Sequence, residues 1–267
     1  MNTDSMPRHR EWLRRYGEGS GFAWGELWAD ARHHPDYPAW QQLARRRGVA
    51  PDEDTLGYHM TRGLIVEVIY AAGGVERELA QMQAALEEAQ AWTDRASSSF
   101  PEHREKPLHA SHSAAPTLAD ASYAFVNLLT WARTLRERVE RPSRSRSPKK
   151  VGLLPALRPG PLQDRVGRAL RVLDDALTEA RHLTNYALHA GSLPSSSTPM
   201  AKVLDNGRIL FRIPDPVAER ITTWEEFTFA DDRDALTYAQ SLMQAVAVFV
   251  DEILTAFEDN VPARVGT

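Results

Sequence analysis

Arginine, asparagine and histidine recur at four-residue steps within Glu179–Ser192 (EARHLTNYALHAGS), as Arg181, Asn185 and His189. On a helix this spacing puts the three side chains in one oblique row. A permanently charged guanidinium, an amide and an imidazole that titrates near neutrality can together hold a phosphodiester and move protons around it. His182 and Tyr186 fall on the solvent side of the same helix, with Asp175 and Glu179. His189 sits in what reads as the last turn before a stop at Gly191, where exposed carbonyls favour the imidazolium. An RNA strand brings its own 2′-hydroxyl nucleophile, so cleaving it needs little beyond an acid, a base and charge stabilisation. Any surface helix has a polar face, however, and two histidines on one are equally consistent with plain solvation.

The element carrying these residues is expected to be a helix over Leu162–Ala190, burying Val166, Leu170, Leu173, Leu177, Ala180 and Ala187. Three other long helices have apolar residues at helical spacing. The first starts at Asp54 or Thr55, carries Leu56, Met60, Leu64 and Val68, reaches a kink or turn at Gly73-Gly74, and resumes with Val75, Leu79, Met82, Leu86 and Ala89. The second opens at Thr117 and carries Leu118, Ala121, Phe125, Leu128, Leu129, Ala132, Leu135 and Val139. The last begins at Asp231 or Asp232 and carries Leu236, Ala239, Leu242, Val246, Phe249, Ile253 and Phe257. Lys202–Leu204 and Arg208–Ile213, joined by Asp205-Asn206-Gly207, read as one β-hairpin, because Asn-Gly tolerates the positive φ of a tight turn. Thr223 to Glu226 reads as a capping box. The fold class expected is therefore all-α, a bundle of four long helices with short N-terminal helices and one inserted hairpin.

Residues 1–50 read as a Trp-rich helical subdomain, with short helices over Glu11–Tyr16, Ala23–Arg32 and Pro38–Arg47. Helices this short need a partner, and Trp12, Trp24, Trp28, Tyr37 and Trp40 would dock them on the body formed by residues 51–260. Loops are expected at about 97–116 and 141–161, and a tail at 261–267. There is no cysteine, which excludes disulfides, thiolate metal sites and cysteine nucleophiles. With no secretory leader pattern and no apolar run near the ~18–20 residues of a membrane span, the expected setting is cytoplasmic, without membrane contact.

Net charge is −4, yet Arg133–Lys150 holds eight basic and two acidic residues, leaving −10 for the rest. Arg144 and Arg146, within RPSRSRSPKK, could neutralise phosphates of a nucleic acid, although no aromatics interleave them to stack bases. A solvated connector is the simpler reading of that run. His103, His109 and His112 sit in a loop without regular geometry, and Asp175, His182 and His189 are spread about 10 Å apart along one helix, so no metal site is expected. Gly-rich phosphate loops, dinucleotide fingerprints and nucleophile elbows are absent from the sequence.

Asn185-Tyr-Ala-Leu-His189 near a helix end, followed by Ala-Gly, resembles the signature of the HEPN superfamily. These are small α-helical domains, many of them metal-independent ribonucleases of toxin and antiviral-defence systems. The family motif is an Arg with a polar residue, commonly Asn, directly after it, then four to six residues and a His. The resemblance makes His189 the motif histidine and Asn185 the polar residue. It departs at Thr184, which stands where the family has Arg; the nearest upstream arginine is Arg181, one helical turn away. What the resemblance implies is a ribonuclease or RNA-binding toxin or defence component, a homodimer without cofactor or metal, with an antitoxin or other protein as a further partner. Arg181 would hold phosphate, His189 would serve as acid and base, and Asn185 would position substrate. His182, Tyr186, Arg144 and Arg146 would add substrate contacts. A non-catalytic interaction protein on the same scaffold is the alternative, and a metal-dependent bundle enzyme using Glu179 and His182 is a third reading.

Overall fold

The computed structural model describes residues 7–18, 41–42, 45–46, 53–99, 115–140, 152–157, 159–178, 183, 185, 200–215 and 226–260. Its elements in chain order are α1 (Pro7–Glu18), α2 (Glu53–Ser99), α3 (Ala115–Glu140), α4 (Leu153–Ala156), α5 (Pro161–Thr178), β1 (Ala201–Val203), β2 (Ile209–Phe211) and α6 (Ala235–Asn260). The fold is all-α with one inserted antiparallel hairpin.

The chain forms two compact units, and α2, α3, α5 and α6 each contribute one part to each. The first unit comprises 1–73, 132–174 and 245–267. Its core is built from Trp12, Ile65, Val68, Ile69, Leu135, Val139, Leu153, Val166, Leu170, Leu173, Phe249, Ile253 and Phe257. Trp12 is buried as its docking role requires, and its indole N–H donates to Asp251 at 3.0 Å. One turn further along α1, Arg15 reaches Asp251, Thr255 and Glu258, which lie on one ridge of α6. The Glu258 carboxylate holds the Arg15 guanidinium more firmly protonated than usual. Trp24, Trp28, Tyr37 and Trp40 lie outside the described residues.

The second unit comprises 74–131 and 175–244. It buries Val75, Met82, Ala89, Phe125, Leu128, Leu129, Leu183, Met200, Phe211, Ile213, Phe227, Ala239 and Leu242.

The largest departure from expectation is α2, which runs through Gly73-Gly74 without a turn. The glycines serve close approach. A Cβ on Gly73 would lie 2.9 Å from His9 Cγ, and one on Gly74 would lie 2.6 Å from Trp131 Cγ. Each ring therefore lies directly on helix backbone.

Other boundaries also shift. Helix continues over Ala96–Ser99, where a loop was expected, with Ala96 buried and Ser98 Oγ donating to the Asp94 carbonyl. The expected connector before Pro161 contains a helical turn, α4, whose first residue Leu153 and following Leu157 are both buried, with Gln163 donating to the Leu154 carbonyl. The last helix starts at Ala235, because Asp234 caps it: its carboxylate accepts from Leu236 N at 2.9 Å and Thr237 Oγ1 at 2.8 Å. The expected capping box at Thr223 falls largely outside the described residues. Helix α6 is long and apolar enough to cross a membrane by length and composition, but 56% of that span is buried in the protein and Asp251 within it binds Trp12 and Arg15. It is a core helix here.

Replacing a mid-helix glycine with alanine ordinarily favours the helix by ~1 kcal/mol. Gly74→Ala should do the opposite, lowering stability by about 1–3 kcal/mol in urea unfolding because Trp131 must leave its seat. A gain in stability would show that the ring does not rest on the glycine.

Candidate functional site

The sequence places the candidate row after Thr178, where α5 as described ends. Past Thr178, Leu183 and Asn185 are both helical; Leu183 is buried and Asn185 exposed. Two residues on a helix are about 200° apart, so a buried 183 and an exposed 185 are what an amphipathic helix produces. Asp175 and Thr178 are exposed, and Leu173 is fully buried, as the helical register demands. Arg181, His182, Tyr186 and His189 lie outside the described residues, as do Glu179, Arg144, Arg146, His103, His109 and His112. Of the predicted site residues, Asn185 is the one given a place. Among the described residues no three His, Asp or Glu side chains gather as a cation site.

In the second unit the described end of this stretch, at Ala176, is held by a tyrosine. Tyr238, in the first turn of α6, donates its hydroxyl to the Ala176 carbonyl at 2.8 Å. Its ring meets Phe125 edge-on at 6.2 Å between centroids, and Phe125 meets Phe211 of β2 edge-on at 6.5 Å. Edge-to-face pairs at such separations are favourable beyond the area they bury.

The hairpin that carries Phe211 pairs Ala201 with Phe211, Lys202 with Leu210 and Val203 with Ile209. Its turn places Gly207 at φ 78, while the Asn206 side chain accepts from Arg208 N at 3.1 Å. Positive φ is thus needed at the glycine alone. Gln90 of α2 clasps the turn from both sides, donating to the Gly207 carbonyl and accepting from Ile209 N at 2.9 Å.

The run before α6 is fixed by charge. Arg212 N donates to the Met200 carbonyl and Ile213 N to the Arg233 carbonyl, so 232–234 lies alongside β2. Asp232 adopts a left-handed conformation (φ 45) and pairs with both Lys202 and Arg212. Those two cations hold its carboxyl below the ordinary aspartate value. Burial alone would raise Asp215, but bonds from Ala230 N, Thr228 Oγ1 and Asp231 N, with the charge of Arg233, lower it overall.

A second surface belongs to the first unit. Arg165, Arg168, Ala169 and Val172 of α5 face Ala245, Val248, Phe249 and Glu252 of α6 across an open groove of about 240 Å³. Val172 and Val248 are 56% and 46% exposed, unusual for β-branched residues in mid-helix. Arg165 is held by Glu252 at 2.9 Å and Asp259 at 2.6 Å.

No protein-family model, curated protein or solved structure matches this chain. Tyr238 is the supporting residue that reading the sequence overlooked. It lies beside the apolar stripe of α6 rather than on it, and a single tyrosine gives no period to detect.

Asparagine tolerates left-handed backbone, so Asp232→Asn removes the charge while keeping the conformation. A depressed carboxyl stabilises the fold above its unfolded value and loses that contribution as pH falls through its folded value. Denaturation followed from about pH 5 to about pH 2 should therefore show a shallower acid loss in Asp232→Asn than in wild type. Identical slopes would mean that the two cation pairs are not formed in solution.

Proposed function

We propose that this chain is a HEPN-like, metal-independent ribonuclease or RNA-binding component of a toxin or defence system. The observation carrying this reading is Asn185: helical, exposed, and set two residues past a buried leucine. On this reading one helix carries 181 to 189, and its four-residue steps make Arg181, Asn185 and His189 a row. In that arrangement Arg181 stabilises the phosphodiester charge, His189 passes a proton to the leaving oxygen, and Asn185 orients the strand.

The test is incubation with single-stranded RNA in excess EDTA, comparing wild type with His189→Ala and Arg181→Ala. Wild type should cleave, and His189→Ala should slow cleavage by about 10²–10⁴-fold. Cleavage that survives both substitutions would remove the assignment.

A second reading, a helical interaction protein without catalysis, is favoured by the groove between α5 and α6. Its exposed valines sit among a cation and a carboxylate, Arg168 and Glu252, a mixture that suits the self-complementary contact of a two-fold dimer. On either reading the chain acts as a homodimer through this face. Sedimentation velocity should find wild type dimeric and the Val172→Glu, Val248→Glu double variant monomeric. Unchanged sedimentation of the double variant would place the dimer contact elsewhere or exclude it.

A further inference from the structure

We infer that α5 (Pro161–Thr178) is the two-fold seam of the homodimer proposed above, packed antiparallel on its own copy with Arg168 paired to Asp175 of the partner subunit. The inference rests on that dimer reading and adds to it the helix, the register and the charges. Arg165, Arg168, Val172 and Asp175 follow one another at steps of three and four, the spacing that draws a straight row along a helix. Arg165 is satisfied within its own subunit by Glu252 and Asp259. Arg168 and Asp175 are exposed, and among the described residues neither side chain has a hydrogen bond or an ion pair. Val172, between them, is more than half exposed, and Val248 lines the same groove.

The charges of the row name what covers it. A uniformly acidic or basic partner would call for charges of one sign, whereas Arg168 and Asp175 put one of each on either side of a valine. A helix of that pattern is complementary to its own copy running the other way. Pairing Arg168 with Asp175 of the partner subunit sets the axis between Arg171 and Val172. The two valines then meet, and an ion pair forms about 5 Å to each side along the helix. Arg171, about a quarter turn off the row, stays in solvent. Other pairings lose one part of this. Arg168 against the partner's Asp164 moves Val172 about 9 Å from the axis and off the contact. Arg171 against the partner's Asp175 leaves Arg168 facing an uncharged side chain, Thr178 of the partner subunit. Of the three registers, the first covers the valine and answers both charges.

The chain contains no cysteine, so Val172→Cys carries a single thiol. Beside the axis, that thiol and its copy come within disulfide reach. Under mild oxidation Val172→Cys should form a covalent dimer at least about 10-fold faster than Asp164→Cys or Thr178→Cys, whose copies lie about 20 Å apart along the seam. Charge reversal supplies the second arm. Arg168→Asp and Asp175→Arg should each raise the dimer dissociation constant at least about 10-fold in sedimentation equilibrium, because each sets like charges opposite one another. The double reversal restores opposite charges and should return to within about 3-fold of wild type. A dimeric wild type whose Val172→Cys cross-links no faster than the two controls would overturn the seam and leave the homodimer reading standing, as would a double reversal that stays as weak as the singles. A monomeric wild type would overturn the homodimer reading and the seam with it.

Discussion

The second unit depends on the placement of one ring. Phe125 of α3 is fully buried and receives Phe211 of β2 and Tyr238 of α6 edge-on, at 6.5 and 6.2 Å. Three segments distant in sequence are thereby referred to one point. The hairpin could not stand alone, since two short strands bury too little. Phe211 seats it from within and Gln90 clasps its turn from outside. Tyr238, held against the same ring, donates its hydroxyl to the Ala176 carbonyl of α5.

A different constraint governs α2 and its neighbours. Helix backbones approach side chains closely only where no Cβ intervenes, and Gly73 and Gly74 supply two such places in succession. Within the first unit His9 of α1 lies on Gly73, and within the second Trp131 of α3 lies on Gly74. The Trp131 ring also carries the Arg77 guanidinium on its face at 5.4 Å, and Arg77 pairs with the buried Glu78 at 2.8 Å. Ion pairs elsewhere, such as Arg138–Glu67 and Arg133–Glu137, are partly exposed; pairs of that kind contribute roughly 0–1 kcal/mol each. They orient helices that apolar burial holds.

Period was legible where burial follows a single stripe. All eight residues read as the apolar face of α3, from Leu118 to Val139, are buried, and so are six of the seven read for α6. Leu236 is the exception, because the helix begins only at Ala235 and that residue sits in its first turn. The hairpin was legible from Asn206-Gly207 because turn chemistry is local. The glycine pair misled because a glycine signals either a turn or a close approach, and the choice depends on rings 57 and 64 residues away in sequence (Trp131 from Gly74, His9 from Gly73). The start of α6 misled because three aspartates, Asp231, Asp232 and Asp234, compete for the cap, and only one has its carboxylate on the helix amides. Near the candidate row, the Tyr238 bond to the Ala176 carbonyl left no periodic signal in the sequence.

On the proposed reading, RNA meets this protein along the face that carries Asn185. Photo-crosslinking with 4-thiouridine RNA, followed by mass-spectrometric mapping of the adducts, tests this directly because it needs neither catalysis nor a variant. Adducts concentrated on the peptide that contains Asn185 are the result expected. Adducts confined to other peptides, or none above a free-uridine control, would contradict it.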